Sequence, residues 1–567
     1  MSTGIDIFLE LLASAGVRYV FGNPGTTELP LSDALVDHPT IRYVLGLQEV
    51  PVMAMADGYT LASGTPGVVN LHISCGLGNA MGMLYNAYRE GTPLIVTAGQ
   101  TDRRLKFEEP ILWGDMVAVA RPWTKWAVEI DRVGDIPAAV RRAVQIALSP
   151  PTGPVFLSLP LDLQMETVDR GQLDLAPPRV PSRRVRPPLD ALTRAADVLV
   201  AAKNPAILAG SRVLEADAVA ELVAVAERLG VSVIAESGTT HGRLPFPCDH
   251  PLYDVGLPLW SPEVRERLAP YDVLLVVGMD LLRQYVYHEP ARAIPEQVRL
   301  VHLDEDPYQI GKNYPVEVAL VGDTKCGLVE LDRLIAERMT EPQRTTAKHR
   351  AAELAEASRA RRAALERTIE SRRDARPLAP LVAMASLARA LPKNAAVVEE
   401  AVTTTNTTLE RLAALGTTDG YFGHRGWALG WGLGVSIGVR LAWPERPVLA
   451  ILGEGAALYG IQGLWTAARY RIPVTFVICN NAQYQILKIG ARGLNLPRAK
   501  AGEFLGMDLV EPEIDFVSLA KSLGVDAIRI SEPDALTDAV ANSLASNKPQ
   551  LIDVPIQRTT PDRLQYG

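Results

Sequence analysis

Two short patterns in the last third of the chain place oxygen-bearing side chains directly after apolar strands. Gly453-Glu454-Gly455 follows the run PVLAIL and, after 24 intervening residues, Asn480-Asn481 follow the run PVTFVIC. Carboxyl ends of strands in an open parallel sheet meet at one edge, where ligands bind. A carboxylate and an amide oxygen there suit Mg²⁺, and glycines before a helix N-terminus suit a diphosphate. The alternative is two ordinary strand-end turns.

A second group of candidate residues lies in the first 100 residues. Glu49 begins the helical pattern EVPVMAMADGYTLASG, and His72 ends the apolar run GVVNLH before a glycine-rich stretch. A buried carboxylate can share a proton with a ligand, and a histidine at a strand end suits acid–base chemistry near neutral pH. The structural alternatives are that Glu49 stabilises a helix N-terminus and that His72 caps a turn.

Three segments of alternating strand-like and helix-like patterns would position these residues. The clearest strand patterns are GVVNLHI and PLIVTAG in the first, DVLLVVGMD in the second, and PVLAILGEG and PVTFVICNN in the third. Short apolar strands separated by helical patterns predict parallel, doubly wound sheets. We therefore expect an α/β protein with three such domains, at 1–170, 189–335 and 377–567. A charged helical connector is predicted at 336–376.

Composition argues against several classes of partner. The 567 residues carry a net charge of −8 without a Lys/Arg-rich run, which disfavours nucleic acid and anionic membrane. Cys75, Cys248, Cys326 and Cys479 form no CxxC pair, so neither a disulfide scaffold nor a zinc site is indicated. The N-terminal residues lack the basic region of a signal peptide, and no uninterrupted apolar run reaches about 18 residues. These features predict a cytoplasmic protein.

Together the motifs resemble those of thiamine-diphosphate (ThDP) enzymes of the benzoylformate decarboxylase and acetolactate synthase type. That family's usual motif is GDG, a stretch of similar length, then NN, so Glu454 stands in place of the aspartate. The segments FGNPGTTELP, LQEV, NLH, GLGNAMG and TAGQ also match, and the likeness covers nearly the whole chain. It implies a pyrimidine-binding domain, a central domain and a diphosphate-binding domain.

The resemblance implies ThDP and Mg²⁺ as cofactors. Glu49 would activate ThDP through pyrimidine N1′, and Leu429 would support its V-shaped conformation, unless Leu429 is a core residue. Glu454, Asn481 and the backbone carbonyl of Gln483 would hold the metal, although the longer glutamate moves the ligand oxygens. The other expected cofactor contacts are Asn79, Thr403, Gly453, Gly455 and Ala456. Some relatives bind FAD or ADP in the central domain, but no decisive nucleotide motif supports FAD here, so that domain is expected to be structural.

The same resemblance assigns residues to the substrate side. Thr26 would contact the substrate carboxylate, and His72 would handle protons. The family's second histidine aligns with Tyr285, and His288 lies three residues later. His424, just before Leu429 in the sequence, is a further candidate, and we hypothesise that it supplies the second proton-handling group.

The expected substrate wall departs from that of benzoylformate decarboxylase. Ile486 and Gly490 stand where that enzyme has small and aromatic residues, so phenyl specificity cannot be carried over. Gln485, Lys488 and Arg425 could meet a polar or anionic substrate. Each could equally be a solvated side chain, and for Lys488 that interpretation is favoured.

The leading interpretation is ThDP-dependent, non-oxidative decarboxylation of a 2-oxo acid. His72 favours it, whereas Gln485, Gly490 and the missing second histidine keep open an acetolactate-synthase-like carboligase or a 2-hydroxyacyl-CoA lyase. A non-catalytic protein of the same fold is a further alternative, supported only by Glu454. The resemblance also implies a homodimer or homotetramer with the active site at the subunit interface.

Overall fold

Three six-stranded sheets follow one another along the chain. The structure is a computed structural model that describes residues 2–561 except 181, 183, 237–241, 259, 284–288 and 290–291. Within each of the three sheets every neighbouring pair of strands is parallel, and helices flank the sheets. The predicted α/β class with three doubly wound parallel-sheet domains is therefore confirmed.

The first sheet carries the N-terminal candidate residues. Its domain contains strands β1 (Ser2–Thr3), β2 (Tyr19–Gly22), β3 (Arg42–Leu45), β4 (Val68–Leu71), β5 (Ile95–Gln100), β6 (Trp126–Glu129), β7 (Val155–Pro160) and β8 (Thr167–Val168). Its helices are α1 (Gly4–Ser14), α2 (Leu29–Ala34), α3 (Glu49–Ser63), α4 (Ile73–Glu90), α5 (Met116–Ala120), α6 (Ile136–Ala147) and α7 (Leu161–Met165). The sheet order is β3-β2-β4-β5-β7-β6, and β1 pairs with β8 separately. Glu49 and His72 therefore lie at the carboxyl edge of this sheet.

The central sheet has the order β11-β10-β9-β12-β13-β14. Its strands are β9 (Pro205–Ala209), β10 (Val233–Ala235), β11 (Tyr253–Asp254), β12 (Val273–Val277), β13 (Arg299–Asp304) and β14 (Val318–Val321). Its helices are α8 (Leu189–Ala201), α9 (Arg212–Glu215), α10 (Val219–Leu229), α11 (Ser261–Leu268) and α12 (Thr324–Arg338). A 31-residue helix, α13 (Glu341–Ser371), follows it and begins with a capping box between Thr340 and Gln343.

The third sheet has the order β16-β15-β17-β18-β20-β19. Its strands are β15 (Ala396–Glu400), β16 (Tyr421–Phe422), β17 (Val448–Gly453), β18 (Thr475–Asn480), β19 (Asp526–Arg529) and β20 (Gln550–Pro555). Its helices are α14 (Pro380–Ala390), α15 (Val402–Thr405), α16 (Thr408–Arg411), α17 (Trp431–Ala442), α18 (Glu454–Ala457), α19 (Gly463–Tyr470), α20 (Gln485–Gly493), α21 (Pro497–Lys500), α22 (Phe516–Ser522) and α23 (Pro533–Ala545). Gly453 pairs with Cys479, so β17 and β18 end side by side, as the two motifs require.

Helices α3 and α17 join the first and third domains along a glycine-lined contact. A Cβ added at Gly430 would lie 3.0 Å from Val50 Cγ1, and one at Gly434 would lie 2.6 Å from Ala54 Cβ. Side chains at these glycines would force the helices apart. The two helices run in the same direction, so the N-terminus of α3 lies beside the start of α17.

No helix in the described part of the chain is long and apolar enough to span a bilayer. The sheets extend over 19–160, 205–321 and 396–555. The extent of a sheet does not fix a domain boundary, so the predicted boundaries remain predictions.

Candidate active site

Glu49 is a buried carboxylate held by two amides. It is 5% exposed; Asn23 Nδ2 donates to Oε1 at 3.2 Å, and Asn79 Nδ2 donates to Oε2 at 3.0 Å. The side chain that caps α3 belongs to Gln48, which accepts from the Val50 N–H. Among the described residues Glu49 has no ion-pair partner. Capping therefore does not account for this carboxylate, which remains able to share a proton with a ligand.

Glu28 fixes the orientation of His72. His72 Nδ1 lies 2.8 Å from Glu28 Oε2, and the fully buried Glu28 carboxylate also accepts from Gly25 N, Thr27 Oγ1 and Gly99 N at 3.1, 2.7 and 2.8 Å. Because a carboxylate accepts hydrogen bonds, Nδ1 carries the hydrogen and Nε2 is left for acid–base exchange. Glu28 stands inside the matched FGNPGTTELP segment, but no local pattern there indicates its contact with His72.

Gly76 separates Glu49 from His72. A Cβ added at Gly76 would lie 3.5 Å from both Glu49 Oε1 and His72 Cβ. The two predicted catalytic residues therefore flank one glycine at the carboxyl edge of the first sheet. Thr26 begins the short turn Thr26–Glu28 and is exposed, whereas the adjacent Thr27 hydroxyl lies 3.4 Å from His72 Nδ1.

Glu454, Asn481 and Gln483 come together at the carboxyl edge of the third sheet. The Gln483 N–H donates both to Glu454 Oε1 at 3.0 Å and to Asn481 Oδ1 at 3.2 Å, so the two side-chain oxygens converge. Asn480 turns away and donates to Asp553 Oδ1 at 3.2 Å. Burial raises the pKa of Glu454 to about 7.

The donor set at this edge fits Mg²⁺. Glu454 has no ion-pair partner among the described residues, and the adjacent Asn481 and Gln483 supply amide and backbone oxygens. A buried carboxylate without a cation is costly, and hard oxygen ligands match a hard divalent ion. Described residues form no group of three or more His, Cys, Asp or Glu side chains suited to a metal, so Asn481 and backbone oxygen would have to complete the coordination.

The remaining predicted diphosphate residues line the same edge. Thr403 lies in α15, directly after β15, which pairs with β17. A Cβ at Gly455 would lie 2.6 Å from the Tyr484 ring, so close packing requires glycine there. Ala456 lies in α18, which has only four residues. The helix-dipole contribution expected from the sequence is therefore small, because the dipole grows with aligned peptide units.

Leu429 is held at the start of α17 and is not a core residue. It is 37% exposed, which excludes the alternative interpretation. The buried Glu400 carboxylate accepts from the N–H groups of Gly430, Trp431 and Gly432 at 2.9, 3.1 and 2.8 Å. Gly430 has φ +97°, a backbone conformation that favours glycine. Glu400, which the sequence analysis missed, thus fixes the segment that presents Leu429.

The polar residues considered for substrate contact have other partners. Lys488 is buried, not solvated as predicted, and donates to Gln483 Oε1 at 2.9 Å and Asp508 Oδ1 at 2.6 Å. Gln485 donates to the Thr559 carbonyl at 2.8 Å. Both side chains therefore support the Asn481–Gln483 loop.

Arg425 also has internal partners. It is buried between Glu90 and Glu215, with 3.0 Å between Nη2 and Glu215 Oε1. Its guanidinium charge is thus neutralised within the chain and does not select a substrate.

His424 is buried next to the start of α17. Its Nδ1 accepts from the Trp427 N–H at 3.0 Å, and its ring stacks on Trp431 at 5.2 Å between centroids. Burial lowers the pKa of His424 to about 4, so the ring is neutral at pH 7 with its hydrogen on Nε2. Tyr285 and His288, the other candidates, lie outside the described residues.

The proton-handling hypothesis for His424 remains a prediction. His424→Ala is expected to lower kcat by about 10²-fold, at the lower end of general acid–base contributions, without changing the Mg²⁺ requirement. Steady-state kinetics with a Mg²⁺ titration measures both quantities. Full activity in this variant would end the hypothesis.

An ion-pair cluster occupies the carboxyl edge of the central sheet. Arg212 pairs with Asp304 at 2.8 Å and with Asp280 at 2.9 Å, and all three are buried. Ligands of open α/β sheets bind at this edge. The cluster ties α9 to the ends of β12 and β13. The structural role expected for this domain stays a prediction.

Comparisons with known proteins agree with this geometry. Three profiles of the thiamine pyrophosphate enzyme family match: the N-terminal TPP-binding domain at 2–110, the central domain at 192–331 and the C-terminal TPP-binding domain at 402–554. Benzoylformate decarboxylase from Pseudomonas aeruginosa is 34% identical over 99% of this chain and 100% of the relative. The chain belongs to the thiamine pyrophosphate enzyme family.

Two further matches extend the comparison to a second kind of enzyme and to a solved structure. A probable acetolactate synthase large subunit from Methanocaldococcus jannaschii is 28% identical over 98% of this chain and 92% of the relative. The crystal structure of benzoylformate decarboxylase from Polynucleobacter necessarius superposes with a TM-score of 0.86 at 31% identity, over 99% of this chain and 100% of that chain. This thiamine pyrophosphate enzyme therefore shares its full length with carbon–carbon bond enzymes of more than one kind.

Proposed function

We propose that this thiamine pyrophosphate enzyme converts a 2-oxo acid to an aldehyde and carbon dioxide without oxidation, using ThDP and Mg²⁺. The observation that carries the proposal is the placement of Glu49 and the Glu28-oriented His72 on either side of Gly76. Binding alone requires neither group. The full-length similarity to benzoylformate decarboxylase supports this reaction over others of the family.

Bound ThDP supplies the nucleophilic carbon and accepts the electrons released when carbon dioxide leaves. Glu49, held by Asn23 and Asn79, would hold a proton against pyrimidine N1′. His72 would exchange protons with the substrate through Nε2, and Thr26 would bind the substrate carboxylate. Glu454, Asn481 and the Gln483 carbonyl would hold Mg²⁺. Leu429, Thr403 and the backbone from Gly453 to Ala456 would position the cofactor.

An exposed apolar residue lies on a loop near the start of α4. A Cβ at Gly114 would lie 2.7 Å from Ser74 Oγ in the first turn of α4, and Ile111, three residues before Gly114, is 88% exposed. Burial of such a side chain against a second copy would be favourable. We propose a homodimer or homotetramer with the active site at the subunit interface, and sedimentation velocity of the holoenzyme tests it: a monomer at assay concentration would refute it.

A panel of 2-oxo acids tests the reaction. We expect aldehyde and carbon dioxide from at least one member, with ThDP and Mg²⁺ both required. Formation of acyloin in place of aldehyde would move the assignment to the carboligase branch represented by the acetolactate synthase relative. Cofactor binding with no reaction of 2-oxo acids, aldehydes or acyl-CoA would favour the non-catalytic alternative.

The Glu28–His72 pair gives a second prediction. His72→Ala is expected to lower kcat by about 10²-fold or more, the usual scale for an acid–base group. Glu28→Gln keeps the shape but removes the negative charge beside His72 Nδ1, so the pH profile of kcat should shift. Glu28→Ala with an unchanged profile would show that Glu28 does not position His72.

A further inference from the structure

A cavity that neither Glu49 nor His72 lines lies where three parts of the chain meet. It has a volume of about 570 Å³ and is bounded by the central domain, helix α13 and the third domain. Its apolar part is formed by Ala364, Leu365, Pro380 and Leu381. Pockets of this size accommodate small organic ligands. The charges of the cavity wall indicate which class of ligand it would bind.

Four arginines stand around this cavity. Arg361 is paired with Asp254 at 3.3 Å. In the described part of the chain, Arg362, Arg372 and Arg411 have no ion pair, and burial lowers the pKa of Arg411. Three guanidinium groups therefore remain without a carboxylate at ion-pair distance.

The acidic residue of the wall does not offset that charge. Burial, followed by repulsion from Glu399, raises the pKa of Glu410 to about 8, which favours the neutral form of this side chain. The remaining polar wall is formed by neutral side chains, among them Thr403, Thr404, Gln485 and Thr559. The cavity thus presents positive charge and hydroxyl and amide groups.

Two enclosed hydrogen-bond donors in the wall have no partner among the described residues. Tyr253 is 6% exposed, and its hydroxyl has no hydrogen-bond partner in the structure. The Nε of Arg362 is also enclosed without an acceptor. Buried donors are almost always satisfied, so these two point to a ligand that accepts hydrogen bonds.

We propose that this cavity binds a small organic anion, its phosphate or carboxylate group on Arg362 and Arg411 and its apolar part on Leu365 and Leu381. Thr403, an expected cofactor contact, and Gln485 also line the cavity. The anion site therefore adjoins the ThDP site at Thr403 and bridges the central and third domains. It goes beyond the proposed reaction and does not depend on it.

Calorimetric titration of the ThDP·Mg²⁺-saturated protein with phenyl phosphate and with benzoate tests the site. We expect saturable binding of at least one of the two, one molecule per chain, and the tighter probe identifies the preferred anionic group. Arg362→Gln should weaken binding at least tenfold, and Tyr253→Phe should weaken it by a smaller factor. Arg359→Gln, an exposed arginine of α13 outside the cavity wall, should bind as the parent does.

Three results would overturn the proposal. One is no saturable binding of either probe to the holoenzyme. Another is unchanged affinity in both Arg362→Gln and Tyr253→Phe, with the folded state of each verified by thermal unfolding. The third is binding that His72→Ala abolishes or that appears only when ThDP is removed, which would assign the probe to the cofactor and substrate site. These three binding results can be interpreted even if the decarboxylation assay fails.

Discussion

Glu49→Gln is expected to lower kcat by about 10²- to 10⁴-fold, the range for loss of a positioned acid–base group. The carboxylate sits between the amides of Asn23 and Asn79 and has no cation beside it in the described structure. Glutamine fills the same space but cannot exchange a proton with the pyrimidine. Stopped assays with saturating ThDP and Mg²⁺ measure the loss. Cofactor affinity should change far less than kcat, because the other cofactor contacts remain.

Glu49→Asp tests whether the length of the side chain matters in addition to its charge. The shorter side chain keeps the carboxylate but withdraws it from the ligand, so a loss close to that of Glu49→Gln is expected. Glu108→Gln, an exposed glutamate in the same domain, is the matched control and should keep full activity. If Glu49→Gln keeps more than about a tenth of the parent kcat, the proton-sharing role, with its usual factor of 10² or more, is wrong.

The inner strands of each sheet were predictable because both faces are buried. Runs such as GVVNLHI and DVLLVVGMD contain β4 and β12, whose residues are all buried. The edge strands β6, β14 and β19 were not assigned, and their exposure patterns show why. Their residues are partly exposed; β6 and β19 lack a continuous apolar run, and the run of β14, VALV, has alternate residues exposed. A search for buried parallel strands therefore passes over them.

Site residues were predictable from the sequence where they belong to a local motif. Contacts between residues far apart in the sequence were not predictable. The Asn481–Gln483 loop is such a local motif. The Glu28–His72 pair joins residues 44 positions apart, and the Gln485–Thr559 contact spans 74. Such pairings depend on how the ends of different β-strands come together in the sheet. The sequence of one segment alone does not predict this arrangement. The buried position of Lys488 follows from the same long-range packing, which explains why composition alone suggested a solvated side chain.

Glu454→Gln is expected to raise the Mg²⁺ concentration for half-maximal activity about 100-fold or more. That factor corresponds to about 3 kcal/mol, the upper range for a lost charged contact. The amide of glutamine can still accept from the Gln483 N–H, so the loop should keep its shape while the metal loses its only anionic side-chain ligand. Equilibrium dialysis with Mg²⁺ and ThDP measures the same loss without relying on turnover.

Glu454→Asp is the decisive companion, because aspartate is the residue usual at this position in the family. If the carboxylate itself holds the metal, aspartate should keep Mg²⁺-dependent ThDP binding within about tenfold of the parent, since the charge and ligand type remain. Glu445→Gln, an exposed glutamate of the same domain, should leave the Mg²⁺ requirement unchanged. A parent-like requirement in Glu454→Gln would mean that the convergent oxygens of Glu454 and Asn481 are a strand-end turn and that the metal is held elsewhere.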